Sequence, residues 1–401
     1  MGASACGRRS PSTVPYLDHA ATTPLREEAL AAMLPFLRET YGNPSSLHGP
    51  GRRARVAVDR ARERVAAVIG AEPGEIVFTS GGTEADNAAL RGVVTGATRR
   101  DTGRPGLVTS AVEHEAVLQT AQALVTDGHP VTILPPDAAG RLDPAGLGDA
   151  VGEGTGLVSA MLVNNEIGTI NPIREIADAA HAAGALMHTD AVQAAGLLTL
   201  DVDALDVDLL SLSSHKVGGP KGVGALFVRA GTPFAGVQTG GSQERKRRGG
   251  TENVAGIVGF AEALVLADAE RDEAATRIGS LRDQLRSRLV DAFGDRLVVN
   301  TPADAAPHVL NVSLRPSASG PLDGEMLLTA LDLEGVHASA GSACTSGALE
   351  PSHVLLALRR DRDVAAATVR FSLGRTTTEA DVEAAAGALR RVVARLDTVA
   401  A

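Results

Sequence analysis

Tryptophan is absent from the 401 residues and aromatic side chains make up only 2%. Stacked aromatic platforms for gripping single-stranded nucleic acid are therefore not available in number. Cysteine is scarce as well. Two residues, Cys6 and Cys344, cannot build a disulfide framework, and Cys344 is expected as a free thiol in a reducing compartment. No apolar run approaches the ~18 residues of a membrane span. The opening stretch MGASACGRRSPSTVP lacks the apolar centre of a signal peptide. Positive charge is in deficit: a formal net charge of -10 argues against a nucleic-acid surface as the main business of the fold. One local basic patch, Arg245 to Arg248, reads as local structure or an anion site. A cytoplasmic protein with no membrane partner and no direct nucleic-acid partner is expected.

What is present is an ordinary globular composition, 44% hydrophobic and 21% charged. The length suffices for two domains, since single cores stop growing near ~250–300 residues. After a flexible tail (1–14), a helix pattern starts at Glu27, breaks over Gly42 to Pro50 and resumes from Arg52 to Ile69. Short apolar runs at Ile76–Thr79, Leu107–Ser110, Val131–Leu134, Leu157–Val163 and Ala185–His188 then alternate with alanine-rich helical segments. Strands spaced by helices predict crossover connections and a mostly parallel sheet covered on both faces. Beyond the glycine-rich Gly236 to Gly250 one long helical stretch, Glu252 to about Phe293, carries no strand. Runs at Leu297–Val299, Val309–Leu314 and Val369–Leu373 follow, with helices near Gly324–Leu333 and Thr378–Ala400. The fold class expected is α/β, with a large domain over 15–260 and a smaller α+β domain over 261–401.

The chemistry centres on Asp206 to Val228, DVDLLSLSSHKVGGPKGVGALFV. Two apolar runs flank His215, Lys216 and a glycine-rich turn, so the sequence reads strand, loop, strand, with a lysine at the mouth of the sheet. A partly desolvated amine there has a lowered pKa and attacks aldehydes; the alternative is a surface lysine in a glycine turn. Other strand ends carry polar loops, and the crevice outside such ends is where open α/β sheets bind ligands. Thr79 to Glu84 (TSGGTE) puts Gly82 and Thr83 at a helix N-terminus, which suits a phosphate, although a plain turn and cap would look the same. Asp190 could meet a cationic ring nitrogen or cap a helix, and Gln193 could reach an oxygen. His114 and the Asn164–Gly168 loop end two further strands. Together these loops supply what pyridoxal 5'-phosphate requires, including an acid for its pyridine nitrogen.

The chain resembles a cysteine desulfurase of the NifS/IscS type, within the fold-type I, class V aminotransferase-like enzymes that use pyridoxal phosphate. The resemblance runs from about Tyr16 to the last helix. It is carried by YLDHAATTP at Tyr16, TSGGTEADN at Thr79, EHEAVL at Glu113, NNEIG at Asn164, HTDAVQ at His188, SLSSHKVGGPKGVGAL at Ser211, RRGGTEN at Arg247, SAGSACTSG at Ser339 and VRFSLGR at Val369. It implies that Lys216 holds the cofactor aldehyde and that His114 stacks on its ring and moves protons. It further implies Asp190 as partner of the ring nitrogen, Gln193 as ligand of the ring oxygen, and Gly82, Thr83, Ser213 and His215 at the phosphate. By the same resemblance Thr251 matches a phosphate contact given between neighbouring subunits, which implies a homodimer. Asn165 and Arg370 match groups that hold the substrate carboxylate, and Cys344 matches the thiol that takes the sulfur. Ser242 stands where many relatives have histidine.

The implied reaction turns L-cysteine into L-alanine and leaves a persulfide on Cys344. The sulfur would then pass to an acceptor such as an iron–sulfur scaffold or a tRNA-thiolating enzyme. A helix after Cys344, near Glu350 to Leu358, is expected to favour the thiolate. No metal ligand set is expected. Another lyase or an aminotransferase of the same fold would need no Cys344, and a silent scaffold would need neither Lys216 nor Cys344.

Overall fold

The computed structural model describes residues 14–99, 103–318, 320–341 and 351–399. Cys6, nearly all of the expected tail, and Cys344 lie outside the described residues. Among the described residues there are ten strands: β1 (Ile76–Thr79), β2 (Gly106–Ser110), β3 (Val131–Leu134), β4 (Thr155–Ser159), β5 (Leu186–Asp190), β6 (Leu209–Ser213), β7 (Gly224–Val228), β8 (Leu297–Val299), β9 (Val309–Leu314) and β10 (Thr368–Ser372). The first seven form one sheet in the order β1-β7-β6-β5-β4-β2-β3, and the last three form a second in the order β10-β9-β8. In the large sheet only β7 runs against its neighbours, pairing antiparallel with both β1 and β6. The rest of the ladder is parallel.

Successive strand residues point to opposite faces, and both faces are covered. Leu157, Leu209, Leu226 and Val228 pack with α3 (Gly82–Arg99) and α4 (Glu115–Thr126), whose positions in sequence follow α1 (Glu27–Arg38) and α2 (Gly49–Val68). Their neighbours Val158, Leu210, Ala225 and Phe227 face a larger core shared by α2, α5 (Pro144–Ala150), α6 (Ile173–Ala182) and α7 (Val254–Ala269). Burial on both faces is why these strands read as apolar runs rather than as an alternation. The second sheet has its own core with α8 (Arg271–Phe293), α9 (Gly324–Leu333) and α12 (Glu379–Val399). The short helices α10 (His353–Ala357) and α11 (Arg362–Ala366) lie between α9 and β10 in sequence.

Four sequence expectations need correction. The single helix from Glu252 to Phe293 is two helices, α7 and α8, joined at Glu270, whose carboxylate takes hydrogen bonds of 3.0 and 2.9 Å from the Arg26 guanidinium. Their sequences show the change, because α7 is apolar nearly all round and buried, while α8 buries one stripe into the second core. The helix expected from Arg52 starts at Gly49, because His48 Nδ1 accepts from Gly51 N at 3.2 Å and Pro50 sits in the first turn, where its missing N–H is harmless. The apolar run Leu157–Val163 is regular strand only as far as Ser159; beyond it Met161 N turns to the Glu113 carboxylate, while Ala160 N and Leu162 N still bond to the β5 carbonyls of His188 and Asp190. The helix expected near 350–358 is the five-residue α10.

The loop between β7 and α7 is held by a buried ion pair. Arg62 and Glu244 meet in two bonds of 2.6 Å, with side chains only 3% and 2% exposed. Glu244 also accepts from Phe78 N at 2.9 Å, and the guanidinium lies 4.7 Å from the Phe78 ring centre. Glu244, Arg245 and Lys246 all have positive φ (43°, 55° and 65°), a conformation that costs non-glycine residues roughly 1–3 kcal/mol each. The pair is what keeps that turn in place. Removing one partner of a buried pair leaves an uncompensated charge and costs about 3–5 kcal/mol. Glu244→Ala should therefore lower stability by that amount in denaturant melts, whereas Arg62→Met with Glu244→Met should lose much less. Equal losses in the single and double variants would contradict this account. Within the basic patch Arg247 donates to Gly74 O and Arg248 pairs with Glu84 at 2.9 Å.

Candidate active site

A cleft opens where β5 and β6 end and α3 begins. Gly82, Thr83, His114, Asn165, Asp190, Gln193, Ser213, His215 and Lys216 line it. Arg370, from the middle of β10, reaches its margin and donates through Nη1 to Asn165 O at 2.9 Å. Thr251 is exposed and does not line its own chain's cleft.

Lys216 ends a single helical turn, Ser214–Lys216, directly after β6. Its Nζ donates to Ala20 O and, at 2.9 Å, to Ala21 O, so the N-terminal segment closes over the amine. Burial brings the amine down to about 8; Arg370 adds to the drop, and Asp190 and Asp18 oppose it. At neutral pH an appreciable share of this lysine is free base, which an ordinary surface lysine is not.

Asp190 closes β5, and its Oδ1 accepts from Val192 N at 2.8 Å. Burial raises its carboxyl above the usual range, with His114 and Lys216 pulling it back. Beneath it lie Asp86 and Glu113, both held well above the carboxylate range by burial first and by the charge of Asp190. One oxygen of each, Asp86 Oδ1 and Glu113 Oε2, is buried without a partner among the described residues. His188 cannot supply a positive charge there. Burial takes it to about 3, and it bonds to Ser159 and Ser211 through its two nitrogens at 2.8 and 3.0 Å.

His114 caps α4, with Nδ1 accepting from Ala116 N at 3.0 Å. Burial lowers its pKa, so the ring is neutral at pH 7 and carries its proton on Nε2. His215 is likewise lowered to about 4, mainly by burial and then by Lys216 and Lys221, while its Nδ1 meets Thr22 Oγ1 at 3.1 Å.

The residues fit pyridoxal 5'-phosphate. The buried Ser213 Oγ has no partner among the described residues and lines the cleft beside Gly82 and Thr83. These two open the 18-residue helix α3, whose first N–H groups and dipole favour an anion. A Cβ at Gly82 would lie 2.9 Å from Val192 Cγ2, so only glycine keeps this turn close to the end of β5. At the other end of the cleft a cationic ring nitrogen would relieve the excess of carboxyl groups around Asp190.

Several members of this constellation carry no signal of their own in the sequence. Asp86 lies one helical turn beyond Gly82, a spacing that puts it on the same face of α3. Asp18 pairs with Arg370 at 2.8 Å, which leaves the buried Arg370 Nε without a partner among the described residues. Glu166 is buried and accepts from Ser352 Oγ, while Gly341 packs against its side chain. Both described flanks of the segment that contains Cys344 thus converge on Glu166.

Comparison with known proteins agrees with this geometry. The profile of the aminotransferase class-V family matches residues 15–385. The cysteine desulfurase IscS of Dictyoglomus turgidum is 46% identical over 96% of this chain and 95% of its own. A solved NifS-like protein superposes with a TM-score of 0.87 at 36% identity, covering 96% of this chain and all of its own. SspA, solved in complex with cysteine, superposes with a TM-score of 0.78 at 33% identity over 91% of this chain and 100% of its own. The chain belongs to the aminotransferase class-V family and, within it, to the cysteine desulfurases.

Proposed function

We propose that the protein converts L-cysteine and its own Cys344 thiol into L-alanine and a Cys344 persulfide, and then passes the sulfur to an acceptor protein. The observation that carries this reading is one cleft in which a buried lysine of lowered pKa, a neutral histidine, a buried aspartate and a helix N-terminus face each other. When bound, the family's cofactor, pyridoxal 5'-phosphate, supplies an aldehyde for the lysine and a conjugated ring that withdraws electrons from the substrate.

The protein's own groups do the rest. The N-terminus of α3 with Ser213, Thr83 and His215 would anchor the phosphate, and Asp190 would keep the ring nitrogen protonated. Lys216, once free, is the base that takes the Cα proton of cysteine. His114, with its proton on Nε2, is placed to give and recover protons beside it. The Cys344 thiolate attacks the substrate sulfur; the S–S bond forms as the C–S bond breaks, and Cβ gains a proton to become the methyl group of alanine.

Arg370 and Asn165 hold the substrate carboxylate. The planar fork of Arg370 suits that task, and its pairing with Asp18 keeps it aimed at the cleft. Losing a charge-assisted bond of ~1.5–3 kcal/mol corresponds to roughly tenfold or more. Arg370→Lys should therefore raise the KM for cysteine by at least about tenfold while the bound cofactor keeps its native spectrum. Loss of cofactor with an unchanged KM in the remaining holoenzyme would make Arg370 a structural ion pair instead.

Thr251 serves the phosphate site of a second copy, so the active form is a homodimer. Its exposure and its place outside its own cleft support that assignment. The division into a cofactor-binding unit, 15–260, and a smaller unit, 261–401, belongs to the same proposal. Two separate cores support it, with α7 extending the first core to Ala267 and Leu17 packing in the second. The setting is cytoplasmic, and the acceptors are an iron–sulfur scaffold or a tRNA-thiolating enzyme. No helix among the described residues is long and apolar enough to cross a membrane. Supplied with cysteine and dithiothreitol, the holoenzyme should release alanine and sulfide in equal amounts. Pyruvate and ammonia in their place would mark a lyase.

A further inference from the structure

Gln193 is linked to the second sheet by a side chain to which neither the mechanism nor the sequence motifs give a part. His308 directly precedes β9 and is buried, at 4% exposure. Its Nε2 lies 3.3 Å from Gln193 Oε1, across 115 positions of sequence. On the other side of the amide, Gln193 Nε2 donates to Ala20 O at 2.9 Å, the same carbonyl that receives Lys216 Nζ. These two contacts decide the amide's orientation. With its nitrogen against a carbonyl oxygen, Gln193 must turn its own oxygen toward His308, and His308 Nε2 must then be the donor. The reversed amide would set two oxygens against each other at Ala20 and leave the His308 N–H facing an NH2 group.

The proton on His308 is fixed for a second reason. Burial first, and then the positive charges of Arg370, Lys216 and Arg282 with the neighbouring His19, hold the ring down to about 3, so it stays neutral throughout the working range. A neutral imidazole has one N–H, and here it belongs on Nε2. His308 Nδ1 is buried with no partner among the described residues, so no protein group there competes for the other tautomer.

We propose that His308 is a positioning residue that locks the Gln193 amide, so that Gln193 presents an N–H rather than an oxygen to the ring oxygen of bound pyridoxal 5'-phosphate. The inference rests on the assignment of Gln193 to that oxygen. Without His308 the amide is held from one side only, and its second N–H is no longer committed to the cofactor. The second sheet thereby acts on the cofactor end of the cleft through one hydrogen bond, besides its contribution of Arg370 to the substrate end.

The test is a competition on the holoenzyme. Protein is equilibrated with an equimolar mixture of pyridoxal 5'-phosphate and its 3-deoxy analogue, which lacks the ring oxygen, and the retained ratio is measured after denaturation. The parent should prefer the complete cofactor. His308→Leu should lose about as much of that preference as Gln193→Leu, roughly tenfold for one hydrogen bond to a charged acceptor. His308→Gln, which keeps an N–H donor, should recover most of it. A His308→Leu protein that keeps the parental preference while Gln193→Leu loses it would overturn the proposal. If Gln193→Leu keeps the preference as well, the assignment of Gln193 fails, and the inference with it. Side-chain nitrogen NMR of histidine-labelled parent holoenzyme is independent of any substitution. It should show His308 as the Nε2–H tautomer between about pH 6 and 9, and an Nδ1–H tautomer would overturn the proposal.

Discussion

Cys344→Ala is expected to take up pyridoxal phosphate and to bind cysteine with a spectral change like that of the parent, yet to make no alanine. Removing a nucleophile that forms a covalent intermediate commonly costs ~10⁴-fold or more in rate. The thiol lies in SAGSACTSG, Ser339 to Gly347, where small residues replace the apolar neighbours of a structural cysteine. Its sulfur has to be collected over the cofactor and delivered to another protein, so one residue must serve two places. The described flanks suit this, since Gly341 and Ser352 both adjoin Glu166 next to Arg370. Cys6→Ala should behave as the parent. Normal alanine production by Cys344→Ala would exclude a persulfide route and favour a different lyase of the same fold.

Lys216→Ala should abolish turnover to a comparable degree, because it removes both the anchor of the cofactor aldehyde and the base for the Cα proton. Borohydride reduction of the parent, followed by peptide mapping, should leave the pyridoxyl group on the peptide that contains Lys216. A label on Lys221 or Lys246 would refute the site. The lowered pKa of about 8 adds a signature in pH. Only the free amine attacks an aldehyde, so the rate of cofactor uptake by stripped protein should rise as pH passes through about 8 and level off above it. A rise that continues toward pH 10 would mean that the amine is an ordinary, solvated one.

The sequence reveals those parts of the fold that depend on continuous burial. β1 and β9, buried along their whole length, have the bounds that their apolar runs suggest, since strands covered on both faces leave little else to read; the partly exposed β3 and β8 match their runs as well. The polar loops at the strand ends likewise meet in one cleft, because parallel strands deliver their carboxyl ends to the same side of a sheet. Contacts between distant elements are not readable in this way. Arg62 finds Glu244 across 182 residues, His308 finds Gln193 across 115, and Arg370 finds Asp18 across 352. No periodicity announces such partners, and each is fixed only when separately built elements pack against each other. The break at Glu270 has the same origin. Propensity alone lets α7 run into α8, and it is the bidentate grip of Arg26 on Glu270 that marks the joint.

The most direct test of the sulfur-transfer account is the mass of the Cys344 peptide after the holoenzyme meets a single equivalent of cysteine in the absence of reductant. The peptide should become heavier by one sulfur atom in step with the appearance of alanine, and dithiothreitol should return it to its original mass with release of sulfide. Alanine formed with no sulfur on Cys344, or sulfur found on Cys6 instead, would contradict the account.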